Sequence, residues 1–241
     1  AFQDETLHAL PSGALWWPTR RLLCVSDLHL GKSGRMARRG GPMLPPYETA
    51  ETLDRLATDL SATNAREVIC LGDSFDDLAA SREMPPALAD RLLSLMEGRR
   101  WVWILGNHDP GPLAFGGTQL SDHRLDPLVF RHIASPDATG EISGHYHPKA
   151  RVTLRGRSLS RRCFLVDAAR IVMPAYGTYT GGLDCARPEL STLMESGARA
   201  ILLGPAPVSL PMPRQTGRYP DTQPHDTVQE PSHDRSRPIH G

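Results

Sequence analysis

Arg21-Leu22-Leu23-Cys24-Val25-Ser26-Asp27-Leu28-His29 is an apolar run that ends in a carboxylate and an imidazole. Two later runs end in the same way. Glu67-Val68-Ile69-Cys70-Leu71 leads into Gly72-Asp73-Ser74-Phe75-Asp76, and Trp101-Val102-Trp103-Ile104-Leu105 leads into Gly106-Asn107-His108-Asp109. Short apolar runs bounded by turn residues predict buried strands. Polar side chains recurring just past their carboxyl ends are how a parallel sheet builds a site. A fourth block, Gly144-His145-Tyr146-His147, supplies two more imidazoles.

The residue types suit cation chemistry. Asp27 and His29 occupy alternate positions, and on an extended segment alternate side chains project to one side, so the pair is expected to grip one ion. His145 and His147 repeat that spacing. Asp73, directly after a strand and a glycine, offers a carboxylate whose lone pairs can bridge two cations. Asn107 adds a neutral oxygen and His108 another imidazole. Mixed oxygen and imidazole donors suit manganese, iron or zinc better than calcium. Taken singly, each of these residues is more often a turn or cap residue. Four such clusters, each following an apolar run or a turn glycine, are hard to obtain from capping alone.

The ordered series Asp27-x-His29, Gly72-Asp73-x-x-Asp76, Gly106-Asn107-His108-Asp109 and Gly144-His145-x-His147 resembles the calcineurin-like metallophosphoesterases. Finer details resemble the bacterial branch associated with DNA ligase: Asp27-Leu28-His29-Leu30-Gly31-Lys32, Gly144-His145-Tyr146-His147-Pro148-Lys149, and Pro174-Ala175-Tyr176-Gly177 with Gly181-Gly182. The resemblance implies an α/β fold, a four-layer αββα sandwich in one domain, and two divalent metal ions, Mn2+ above all with Fe or Zn as alternatives.

By the same resemblance Asp27, His29, Asp73 and His147 would hold one ion, and Asp73, Asn107, His145 and a further histidine the other. His132, at the end of Leu128-Val129-Phe130-Arg131, is preferred for that last place. His123, in the polar stretch Ser121-Asp122-His123-Arg124, is expected to be a solvated loop residue. The resemblance makes His108 the catalytic group that contacts the phosphate and protonates the leaving oxygen, with Asn107 and Asp73 also catalytic. Asp109 and Asp76 would orient imidazoles and backbone from behind. A metal pair neutralises an anionic phosphoester and lowers the pKa of bound water, so no nucleophilic serine or cysteine is needed. No Gly-x-Ser-x-Gly elbow, Walker loop or Gly-x-Gly-x-x-Gly precedes a helix.

With 241 residues and 39% hydrophobic content the chain can bury one substantial core. Its formal net charge is +0, which excludes long-range attraction to polyanions by the chain as a whole. Any such contact is therefore local. The lysines are Lys32 and Lys149, each just beyond a metal-binding block. Lys32, Arg35, Arg38 and Arg39 form one basic cluster, and Arg155, Arg157, Arg161 and Arg162 another. Either is able to grip phosphate, Lys32 and Arg35 being the candidates nearest the site, although a charge run is as often a solvated face. Cys24, Cys70, Cys163 and Cys185 show no Cys-x-x-Cys spacing. Buried thiols in a cytoplasmic protein are expected, with no signal segment and no membrane span.

Thr6 to Trp17 predicts an opening hairpin turning at Pro11-Ser12-Gly13. Tyr47 to Ala62, with Leu53, Leu56, Ala57 and Leu60, and Pro86 to Glu97, with Leu88, Leu92, Leu93 and Met96, predict amphipathic helices. Arg151–Leu154, Arg162–Val166 and Ile171–Met173 predict successive antiparallel strands. Residues 43–46 and 111–117 are candidate substrate-shaping loops, and Trp16, Trp17, Trp101 and Trp103 are read as packing residues. The domain is expected to occupy residues 1–204, and 205–241, rich in proline and polar residues, a disordered tail.

The expected function is hydrolysis of phosphodiester bonds by a nuclease acting on DNA or RNA in repair. The resemblance implies partnership with a DNA ligase and a helicase. A phosphatase or pyrophosphohydrolase of a small nucleotide-like metabolite is one alternative. A non-catalytic scaffold of the same fold is another, and it would be expected to have lost some of these side chains.

Overall fold

A computed structural model describes residues 1–41, 43–154 and 156–214. Its first sheet contains β1 (His8–Ala9), β2 (Leu15–Trp17), β3 (Leu22–Val25), β4 (Glu67–Leu71), β5 (Arg100–Ile104) and β6 (Thr118–Leu120), paired in that order. The opening hairpin is antiparallel, whereas β3 to β6 run parallel. The crossovers carry α1 (Lys32–Arg38) and α2 (Glu48–Thr63), then α3 (Leu78–Arg82) and α4 (Pro86–Met96).

The second sheet contains β7 (Asp122–Leu125), β8 (Leu128–Arg131), β9 (Glu141–Ser143), β10 (Lys149–Leu154), β11 (Arg157–Val166), β12 (Arg170–Val172), β13 (Arg199–Leu202) and β14 (Val208–Pro211), with α5 (Pro188–Leu193) between β12 and β13. Its order is β14-β13-β11-β12-β9-β8-β7, and β10 pairs with β11 outside that path. The antiparallel sequence β10, β11, β12 matches the expected strands. β12 also pairs with β9 in parallel, a long-range register that no local pattern announces.

The pleat sorts the side chains into layers. On β3 to β5, Leu23, Val25, Val68, Cys70, Trp101 and Trp103 face Leu53, Leu56, Leu60 and Leu92 of the helices. Their neighbours Leu22, Cys24, Ile69, Leu71, Val102 and Ile104 face Phe130, Ile142, Phe164 and Ile171 of the second sheet. Beyond that sheet, Cys163, Leu165 and Val172 pack against Leu190 and Met194. Helix, sheet, sheet, helix is the four-layer order expected. Strands buried on both faces read as unbroken apolar runs, which is why these were legible.

Several details differ from the sequence reading. Leu93 is 47% exposed, because it lies one residue, about 100° of helical rotation, from the buried Leu92. Leu113 and Phe115 are buried, and Phe115 stacks on Phe75, so the 111–117 loop is anchored to the core by two side chains while residues 112, 114, 116 and 117 are exposed. β14 lies past residue 204 and pairs with β13, so the sheet extends beyond the expected boundary. Met212 is buried, and Arg214 donates to Ser191 O at 2.7 Å and Met194 O at 3.0 Å. The expected disorder over 215–241 lies outside the described residues. All four cysteines are free and buried. Among the described residues no helix is long and apolar enough to cross a membrane.

Candidate metal centre

β3, β4 and β5 are parallel and in register, so the segments after Val25, Leu71 and Ile104 emerge at one sheet edge. Backbone bonds lace those segments together: His29 N–H donates to Asp73 O at 2.9 Å and Leu30 N–H to Ser74 O at 2.9 Å. From the second sheet, β8 delivers His132 and β9 delivers His145 and His147, and Gly144 N–H donates to His132 O at 3.0 Å. Two sheets thus meet at one polar corner.

Asp27 and His29 do not alternate along a strand as the sequence suggested. β3 ends at Val25, and the backbone turns left-handed at Asp27 (φ 52°), His29 (φ 46°), Asp73 (φ 45°), His145 (φ 70°) and His147 (φ 47°). Each such residue costs on the order of 1–2 kcal/mol over ordinary backbone. Asp and His enter this region more readily than most residues, so the residue types themselves carried a weak signal for it. Asp27 and His29 therefore converge through successive sharp turns.

The two carboxylates are held firmly. Asp27 is buried, with Ser26 Oγ against Oδ2, His145 N–H donating to Oδ2 at 3.0 Å and His147 Nε2 lying 3.1 Å from Oδ1. Burial alone would raise its pKa; His147, His132 and Ser26 outweigh burial and hold the carboxyl below its ordinary value. Asp73 Oδ1 accepts from His108 N–H at 2.8 Å while Oδ2 lies 3.4 Å from His132 Nε2. Against the opposing effect of burial, His132 and the His108 amide bring Asp73 down to about 2.

His132 is the histidine placed in the site. Its Nδ1 is 2.9 Å from Leu71 O, which orients Nε2 toward Asn107 Oδ1 at 2.9 Å and His145 Nδ1 at 3.2 Å. Burial would lower its pKa, but Asp73 and Asp27 lift it to about 9. His145 is lowered, first by burial and then by His132. His123 lies elsewhere, on β7, paired with Phe130 and 3.7 Å from Glu67 Oε1. It is a half-buried strand residue rather than the solvated loop residue expected, because β7 folds back on β8.

Asp76 and Asp109 lie beside the cluster, engaged by its imidazoles and backbone. Asp76 Oδ1 is 2.8 Å from His29 Nδ1, and its other oxygen pairs with Arg35. Asp109 accepts from the amides of Gly106 and Asp73 at 3.0 Å each, Ser74 at 2.7 Å and Phe75 at 3.0 Å, so it clamps the Asp73 turn. Burial, with the nearby Asp73 charge, pushes it up to about 6 despite those donors. Asp77 caps α3 by accepting from Ala80 N–H at 2.7 Å. Arg35 is committed to Asp76, which is not the phosphate contact suggested by its place in the basic cluster. Arg38 pairs with Asp77 at 2.9 Å and Glu83 at 3.2 Å. Lys32 opens α1.

One contribution went unforeseen. Tyr176 N–H donates to Ser26 O at 2.7 Å and Gly177 N–H to Asp27 O at 3.2 Å, so the segment after β12 closes the Asp27 turn from outside. The Pro-Ala-Tyr-Gly sequence had marked this segment, but not what its backbone does.

The donor set suits a pair of divalent cations. Ligand atoms of Asp27, His29 and His147 lie within 4.8 Å of one another, as do those of Asp73, His132 and His145. Among the described residues Nε2 of His29 is buried without a hydrogen-bond partner, and the buried Nε2 of His147 lies 3.1 Å from Asp27 Oδ1. His29, Asp76 and His108 also fall within that distance, yet Asp76 is already engaged by His29 and Arg35. His108, half-buried at the rim, directs Nδ1 to Asp76 O at 3.0 Å. Its Nε2 takes no part in that contact.

The family model described as calcineurin-like phosphoesterase matches residues 20–160, more than half of the chain. No curated protein matches the chain. Among solved structures it is similar to the Pseudomonas putida nuclease MPE, with 29% identity and a TM-score of 0.65 over 86% of this chain and 97% of that one. The E. coli phosphoesterase Yfce is 13% identical, with a TM-score of 0.38 over 80% of this chain and 99% of that one.

Proposed function

This chain belongs to the calcineurin-like phosphoesterase family, and from that premise we propose that it is a nuclease hydrolysing phosphodiester bonds of DNA or RNA. The coarser statement is secure: the protein is a metal-dependent hydrolase of phosphoester bonds. The nuclease reading is supported by likeness to the P. putida nuclease over nearly the whole described chain. The single observation that carries it is the convergence, at one corner, of Asp27, His29 and His147 with Asp73, His132 and His145.

In this reading Asp27, His29, Asp73 and His147 would hold one cation, and Asp73, Asn107, His132 and His145 would hold the other. The cations supply charge neutralisation and an acidified water, with manganese the proposed ion. The chain's own residues do the rest. Asp76 fixes the His29 tautomer with the proton on Nδ1, so that Nε2 faces the cluster. Leu71 O does the same for His132. His108, its Nδ1 held by Asp76 O, presents Nε2 to the leaving oxygen and, when protonated there, delivers the proton. Asp27 and Asp73 are held ionised by the surrounding donors and so offer carboxylate oxygens to incoming cations.

The biological setting proposed is DNA repair in the cytoplasm beside a ligase and a helicase, supported by the Asp27–Lys32, Gly144–Lys149 and Pro174–Gly182 sequences. The test is to assay manganese-loaded protein on bis-p-nitrophenyl phosphate, the matching monoester, single-stranded and duplex DNA, RNA and common nucleotides. Diester and nucleic-acid cleavage that chelator abolishes, and that His108→Ala or Asp73→Asn cripples, is expected. Rapid turnover of one nucleotide with intact nucleic acid would sink the nuclease reading and leave the hydrolase.

A further inference from the structure

The second basic cluster of the sequence is not one surface. Arg162 lines a pocket of about 530 Å3 together with Pro11, Ser160, Leu203 and Gly204, and a second cation, Lys149, is brought in from β10 by its pairing with Arg162, whereas the Arg161 side chain alternates to the opposite face with Cys163. Among the described residues no carboxylate lines this pocket. Among the described residues neither Lys149 nor Arg161 has an acidic partner within 4.0 Å. Arg162 donates to a neutral acceptor, Ala175 O, at 2.9 Å. Nearby, Arg55 also bonds to neutral oxygens, Tyr176 O and Thr178 Oγ1. Burial and the Arg55 charge together lower the pKa of Arg162, as expected of cations gathered without counter-charge.

The pocket adjoins the metal centre. Lys149 is two residues beyond His147, so their Cα atoms lie within about 7 Å. A Cβ at Gly182 would come 2.5 Å from His147 O and 2.6 Å from Lys149 Cε, so one glycine packs against both. The carbonyls that hold Arg162 and Arg55 belong to the Ala175-Tyr176 segment, whose next amides close the Ser26-Asp27 turn.

We propose that the pocket holding Lys149 and Arg162 is a subsite for the backbone phosphates that flank the scissile bond, so that this centre takes a polynucleotide strand rather than a mononucleotide. This rests on the phosphodiesterase reading above and names its substrate class. An overall charge of zero makes such a local cation pocket the means of capturing a polyanion. Lys149 positions the strand and touches no reacting atom.

The test uses the full chain loaded with manganese. Anisotropy of a fluorescent single-stranded phosphorothioate oligonucleotide, which resists hydrolysis, is followed against salt for the native chain, Lys149→Glu, Lys149→Gln and Arg66→Glu. Arg66 is exposed at the amino end of β4, away from the site. Lys149→Glu should weaken binding by about tenfold and lower the salt slope by about one, with a smaller loss for Lys149→Gln. Turnover of bis-p-nitrophenyl phosphate by Lys149→Gln should stay within about twofold, since that small diester fills only the cation site. Unchanged affinity in both Lys149 variants, an equal loss in Arg66→Glu, or displacement of the oligonucleotide by equimolar inorganic phosphate would each overturn the proposal. If the small diester is not hydrolysed at all while binding still depends on Lys149, the hydrolase reading falls and the strand site stands. If the diester is hydrolysed but no oligonucleotide binds, the reverse holds.

Discussion

His29 Nδ1 lies 2.8 Å from Asp76 Oδ1, and that contact decides which nitrogen of the imidazole is left for a cation. The same carboxylate is paired with Arg35, so it cannot swing toward the centre. Asp76→Asn keeps an acceptor and loses the ion pair, whereas Asp76→Ala loses both. Manganese affinity by titration calorimetry should fall by about tenfold in the first and toward about a hundredfold in the second. Equal affinity in all three proteins would show that Asp76 is not a positioning residue.

Gly72 has φ 71°, and a Cβ there would overlap the His132 imidazole. Gly72→Ala should therefore cost upwards of about 1–2 kcal/mol from backbone strain alone and displace His132 as well. Thermal unfolding without metal reads the first effect. Loss of the metal-induced rise in melting temperature reads the second.

Cation binding should stabilise the fold, because the donor atoms come from both sheets and exist together only in the native state. At a hundredfold excess over Kd the gain is about 2.7 kcal/mol. For a domain of this size that is about 5–10 °C in melting temperature. Differential scanning calorimetry with and without chelator checks it, and an unchanged midpoint would mean the cluster binds no ion.

Glu141 is buried on β9, where it accepts from Ser135 N–H at 2.8 Å and lies 3.4 Å from Arg131. Burial raises its pKa more than the Ser135 amide, Arg131 and Arg170 lower it. A carboxyl whose folded pKa is raised stabilises the fold fully below its unfolded pKa, about 4.3, and that contribution is lost as pH rises through the folded value. Glu141→Gln does not titrate. Its stability relative to the native chain should therefore rise from pH 4 toward neutrality, by about the amount the native chain loses. Urea melts across that range would detect a flat difference, which would contradict the assignment.

A chain ending at residue 204 should be less stable than one ending at 214. It loses β14, uncovers the β13 edge and removes the Arg214 bonds to Ser191 and Met194. Comparison of the two melting temperatures tests this, and equal values would restore the boundary expected from composition.

The sequence by itself determined the central strands. Residues 68–71 are apolar at every position because both faces are covered, and such strands announce themselves locally. The layer order and the candidate ligands come from the resemblance of the motifs that follow such runs, and His132 is preferred because Leu128–Arg131 precedes it. What only the tertiary structure decided depends on contacts between residues remote in the chain. The left-handed turns at Asp27 and His147 are imposed by neighbours from other segments. The commitment of Arg35 to Asp76 spans the first crossover, and the capture of β14 by β13 depends on an edge that no local pattern displays. Lys149 joined Arg162 because β10 folds back on β11. Periodicity reports what a residue is buried against on average, while the partner of a charge is set by the register of segments far apart in sequence.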